Sequence, residues 1–139
     1  MGYLSEVTFA FAVEIKEIRD EIMAIYAMDP DVQKYGSVKH FKLFSGDGYA
    51  GAYFHFSDVK WYDFYEGVKT LNKISEVVDM FNEERGIAFA DQFCRIGEND
   101  DDLEWCGNED GGDGSLREVL WDCMQLVRTV DLSFPEEKE

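Results

Sequence analysis

The sequence predicts an α+β fold, a ferredoxin-like β-α-β-β-α-β sandwich with an added C-terminal β extension. Three observations carry this. Four segments with strand patterning (5–13, 38–44, 49–56 and 87–96) are interleaved with two helical stripes in that order. A turn cluster, Ser45-Gly46-Asp47-Gly48, joins the second and third strands as a hairpin. Beyond residue 97 the composition shifts to acid and glycine before an apolar stretch returns.

The first strand, residues 5–13, alternates Val7, Phe9, Phe11 and Val13 with Thr8, Ala10 and Ala12. Small residues on the second face predict that it is also covered. Ile15, Ile18, Ile22 and Ile25 then step by three, four and three, the spacing of a helix face. Glu14, Glu17, Asp20 and Glu21 lie near the start of this helix, where its dipole favours acid. Asp29-Pro30 ends or breaks it, because a residue before proline avoids helical geometry. After the hairpin comes an exposed or looped segment, SDVKWYDFYEG. Val68, Leu71, Ile74 or Ser75, Val78 and Phe81 mark a second helix through about Glu84, with Gly86 as its C-cap. Residues 87–96 give the fourth strand.

The whole chain, 1–139, is expected to be a single domain with a core over 1–97. Residues 98–113 form an acidic loop or hairpin holding eight acids and no base. Residues 114–134 form the extension, one or two strands after a short helix around Leu116 to Leu120. The tail, 135–139, is expected to fray.

Charge bounds the function. With 30 acidic and 13 basic residues the net charge is −17, which opposes direct binding to nucleic acid or anionic membrane, since both need neutralising Lys and Arg. Acidity suits either solubility or attraction to a basic surface. The three cysteines, Cys94, Cys106 and Cys123, form no disulfide framework and fit a reducing compartment. No basic region precedes the N-terminal apolar run, so a cytoplasmic location is expected.

No motif for chemistry emerges. Loops starting at Asp102 or Glu109 fail the calcium-loop pattern, because Cys106 and Leu120 fall at ligand positions. His40 and His55 lie on strands expected to be neighbours, but no cysteine is near either in sequence, so structural histidines are expected. There is no phosphate-binding glycine loop and no nucleophile elbow. The expectation is a protein that is not an enzyme and uses no cofactor and no metal.

Two candidate surfaces remain. One gathers Lys60, Trp61 and Tyr62, with Phe64 and Tyr65, and places Arg95 and Glu98 nearby at the end of the fourth strand. Aromatics beside charges suit an interface, and the alternative is that these rings fold over the second helix as core. The other is the acidic segment, with Asp100, Asp101, Asp102, Glu104, Glu109, Asp110 and Asp113 as contacts and Trp105 as an apolar anchor. Its alternative is a solvated loop with no partner. Residues 98–139 hold 14 acids and 3 bases, or −11 of the total −17.

The opening MGYLSEV, the central FHFSDVKWYDFYEGV and the later FCRIGENDDDLEW together resemble a group of small, uncharacterised acidic bacteriophage and prophage proteins. The resemblance spans most of residues 1–105 and carries over no catalytic residue. It implies a viral origin, and so an inhibitor of host defence, of the anti-CRISPR or anti-restriction kind, acting in the host cytoplasm. The expected partner is a host protein with a basic, nucleic-acid-binding surface, met by acids that mimic nucleic-acid charge. Two alternatives stand beside it. One is a protein that sequesters a nucleotide signal, for which Lys42, Lys60 and Arg95 are the candidate basic groups. The other is a homo-oligomeric phage accessory protein.

Overall fold

The computed structural model describes residues 5–59, 66–97, 102–112, 114–126, 130–135 and 137. Its elements run β1 (Ser5–Val13), α1 (Lys16–Met28), α2 (Pro30–Tyr35), a 3₁₀ turn (Ser37–His40), β2 (Lys42–Gly46), β3 (Tyr49–Val59), α3 (Glu66–Arg85), β4 (Phe89–Gly97), β5 (Leu103–Asp110), α4 (Ser115–Cys123), β6 (Met124–Leu126) and β7 (Val130–Leu132). Five strands form one antiparallel sheet in the order β2-β3-β1-β4-β5, while β6 and β7 pair separately. The fold is α+β, with four α-helices among the described residues.

The central strand, β1, explains the layering. Val7, Phe9, Phe11 and Val13 pack with Ile22, Tyr26, Leu71, Ile74, Val78 and Phe81 from α1 and α3. Ala10 and Ala12 pack on the opposite face with Ala88, Ala90, Cys94, Leu116, Leu120 and Met124. The small residues of β1 thus lie under α4 and the start of β6, and the sheet is covered on both sides.

Two local expectations need correction, and a third is extended. Only half of the isoleucine stripe faces the core: Ile22 is buried and Ile18 packs against it, whereas Ile15 and Ile25 are exposed and Arg19 and Tyr26 complete the buried face of α1. Ile15 precedes the helix, and Ile25 lies on its flank, so neither follows the turn that meets the sheet. Arg19 enters that turn because its guanidinium has partners: Nη1 donates to the Phe44 and Gly51 carbonyls at 3.2 and 3.1 Å. Residues 38–40 are a 3₁₀ turn rather than the start of a strand. Gly36, at φ 65°, reverses the chain out of α2, and Ser37 shares a buried hydroxyl–hydroxyl hydrogen bond with Thr70 of α3. Asp29-Pro30 does end α1, but it also opens α2, with the Asp29 carboxylate accepting from the Asp31 and Val32 amides.

The tail is not free at Glu137. Phe134 stacks on Tyr53, with ring centroids 4.0 Å apart, and Glu137 reaches Arg19 at 2.8 Å and Lys16 at 3.1 Å. A buried guanidinium needs a counter-charge, which the C-terminal segment supplies.

Candidate interaction surface

The acidic segment is built into the sheet. Residues 103–110 form β5, which pairs antiparallel with β4 from Ile96↔Leu103 to Phe89↔Asp110. The Gly97 amide donates to the Asp102 carbonyl at 2.8 Å and closes the hairpin. Within 98–113, residues 98–101 and 113 lie outside the described residues.

Arg95 sets the electrostatics of the hairpin. Its Nη2 and Nη1 donate to the two Asp102 carboxylate oxygens at 2.7 and 3.2 Å. Its Nε donates to Glu104 Oε1 at 2.7 Å, and Nη1 also reaches Ser5 Oγ at 3.2 Å. Asp102, then Glu104, push the Arg95 guanidinium well above its ordinary pKa. Three residues expected to face a partner therefore face one another.

The middle of the hairpin is pinned by side chains of β4. Asp91 accepts from the Asn108 amide at 3.0 Å and from the Asn108 side-chain nitrogen at 3.4 Å. Burial raises its carboxyl pKa to about 6, and the Asn108 hydrogen bonds oppose that rise. Gln92 donates to the Cys106 carbonyl at 3.0 Å and accepts from the Trp121 indole N–H at 3.1 Å. Gly107 leaves no side chain here; a Cβ would stand 2.6 Å from Gln92 Oε1.

The two faces of β5 differ. Glu104, Cys106, Asn108 and Asp110 are in register with Arg95, Phe93, Asp91 and Phe89, on the side of α1 and α3. Leu103, Trp105, Gly107 and Glu109 are in register with Ile96, Cys94, Gln92 and Ala90, on the side of α4. Large apolar surface stays open on the second side: Leu103 is 46% exposed, Trp105 38% and Trp121 46%. Arg117 lies over the Trp121 ring at 5.8 Å. Glu109 Oε2 is buried and finds no hydrogen-bond partner among the described residues.

Of the sequence-predicted residues, Arg95, Asp102, Glu104, Trp105, Glu109 and Asp110 come together on this hairpin. Lys60, Trp61 and Tyr62, with Phe64 and Tyr65, lie outside the described residues, as do Glu98, Asp100, Asp101 and Asp113. Sequence reading missed Asp91, Gln92 and Trp121. The adjacent polar pair Asp91-Gln92 inside an apolar strand was the available signal.

Both histidines have structural partners. His55 Nε2 bonds Glu6 Oε2 at 2.7 Å, and His40, in the 3₁₀ turn rather than a strand, meets the Phe56 ring edge-on. Burial pushes the Cys94 and Cys123 thiols up to about 11, so both are neutral at pH 7. Among the described residues, no group of three or more His, Cys, Asp or Glu side chains is placed to hold a metal, and no helix is long and apolar enough to cross a membrane. Compared with protein-family models, curated proteins and solved structures, the chain matches none.

Proposed function

We propose that this chain is a phage-encoded, non-enzymatic inhibitor that binds a basic, nucleic-acid-handling protein in the host cytoplasm, with the β4–β5 hairpin as its contact surface. The observation that carries the reading is the concentration of charge: −11 of −17 lies in residues 98–139. It begins at a hairpin whose outer strand is exposed at every residue but one. Resemblance to small acidic phage proteins supplies the viral setting. We read β2-β3-β1-β4 with α1 and α3 as the ferredoxin-like arrangement, and β5, α4 and the β6–β7 pair as its C-terminal extension.

The acids take two roles. Asp102 and Glu104 hold the hairpin shut through Arg95, one cation against two carboxylates, and Glu104 stays about half-exposed. Of the described acids, the exposed Asp110 and Glu104 and the partly buried Glu109 are the ones we assign to attracting a basic surface. Long-range attraction would speed encounter, and the half-exposed tryptophans would slow release. The nucleotide-binding alternative loses one of its basic groups, because Arg95 is held by two carboxylates.

The test is capture from host lysate on the immobilised chain at low salt and at about 0.5 M salt. A nucleic-acid-binding protein retained only at low salt supports the reading. Unchanged inhibition after Asp/Glu→Asn/Gln replacement at Asp100, Asp101, Asp102, Glu104, Glu109, Asp110 and Asp113 together would rule out charge mimicry.

A further inference from the structure

The sheet ends on β5, and nothing among the described residues pairs with its outer edge. Such an edge presents unpaired backbone N–H and C=O groups and is a template for another strand. Gly97 and Asp102 form a hydrogen-bonded pair. In an antiparallel ladder hydrogen-bonded pairs alternate with non-bonded ones, so Leu103 and Trp105 turn their backbone groups outward. The opposite edge, β2, is shorter, at 5 residues against 8. Proteins blunt long edges with Pro, charged side chains or bulges; β5, LEWCGNED, has neither Pro nor Lys, and the charges that guard it are all acids.

Those acids decide what can pair. A second copy would bring another −17 and lay Glu104, Glu109 and Asp110 beside their own kind, which destabilises cross-strand pairs. A basic strand meets the reverse condition. On one side it would find Glu104 and Asp110, about 20 Å apart at strand spacing. On the other it would find Leu103, Trp105 and, above the space left by Gly107, Trp121.

We propose that the outer edge of β5 takes up an extended, basic segment of a partner protein as a sixth strand. Its alternate residues are Lys or Arg on the Glu104–Asp110 side and apolar on the Leu103–Trp105–Trp121 side. This rests on the reading above that the partner is basic, and it adds the binding mode: main-chain hydrogen bonds to an edge strand rather than charge matching alone.

The probes are two peptides of about seven residues. One alternates Lys and Val; the other has the same composition with its lysines and valines in separate blocks. Both are titrated into the full chain at about 50 mM salt. The alternating peptide is expected to bind at least tenfold more tightly and to slow amide exchange at Leu103 and Trp105 at least tenfold. Leu103→Pro, which deletes an outward N–H and leaves the bonds to β4, should abolish that preference. Because this variant could unfold, the exchange measurement on the unaltered chain is the deciding one. Equal binding of both peptides without protection at Leu103 and Trp105 overturns strand addition while leaving the basic-partner reading intact. Failure of both peptides to bind overturns both. Protection at these amides that depends on protein concentration without peptide would assign the edge to a second copy and overturn the proposal.

Discussion

Arg95 grips Asp102 with two parallel hydrogen bonds, Nη2 to Oδ1 at 2.7 Å and Nη1 to Oδ2 at 3.2 Å, across the mouth of the β4–β5 hairpin. The described part of the acidic segment therefore begins with a carboxylate already matched to a cation. Bidentate pairing adds orientation to charge, which a lysine in this place would not supply.

Replacing Arg95 separates stability from charge. Arg95→Gln should lower stability by about 1–2 kcal/mol, because Asp102 and Glu104 lose their charged donor and repel each other. Thermal unfolding measures the loss. The variant also takes the net charge from −17 to −18. If acid alone governed binding to a basic partner, affinity would rise; if hairpin geometry matters, it falls. The account predicts a fall.

Asp91 should make stability depend on pH in the direction opposite to most carboxylates. Its folded pKa of about 6 lies above the ordinary aspartate value of 3.8, so the folded state holds the proton more tightly. Its contribution is fully present below about pH 4 and is lost as pH rises through about 6. Asp91→Asn removes the cost of burying the charge, while its amide oxygen can still accept from the Asn108 backbone. The variant should be more stable at pH 7 by about 1–2 kcal/mol, and the difference should shrink toward zero near pH 4. Denaturant melts across that range check both sign and slope.

Arg19 ties the C-terminal segment to the core. Its side chain is fully buried and bonded to Glu137, Asp20 and two backbone carbonyls. Glu137→Gln should cost about 1–3 kcal/mol by leaving a buried cation short of charge, and Arg19→Ala should cost about 3–5 kcal/mol. Urea unfolding of the two variants and of the double variant would show the coupling, since the losses should not add.

Gly51 sets a tighter limit. A Cβ there would collide with the Phe11 carbonyl oxygen and stand 2.6 Å from Phe44 Cζ. Gly51→Ala should therefore cost more than about 3 kcal/mol, with loss of soluble expression as its first sign.

Legibility in the sequence followed the strength of local pattern. Strict alternation in residues 5–13 revealed β1, and its small residues announced the cover on its second face, because each depends on side chains within one strand. The second helix and Gly86 were equally visible; the Gly86 amide donates to Asn82 O at 3.0 Å with φ 66°. Arg19 was hidden, since a buried arginine is stabilised by carbonyls 25 and 32 residues away and by a tail 118 away. The acidic segment showed its charge but not its order: β5 depends on Asp91, Gln92 and Arg95 reaching across from β4, which no local pattern reports. Trp121 was read as part of an apolar extension, and only the fold brings its indole to Gln92.

The salt dependence of binding to a captured basic partner tests the central claim most directly. The chain and its Glu109→Gln/Asp110→Asn variant are each titrated against that partner from about 50 to 500 mM salt. The account predicts steep weakening for the chain and a shallower slope with at least tenfold weaker low-salt affinity for the variant. A flat salt response, or a variant indistinguishable from the chain, would contradict it.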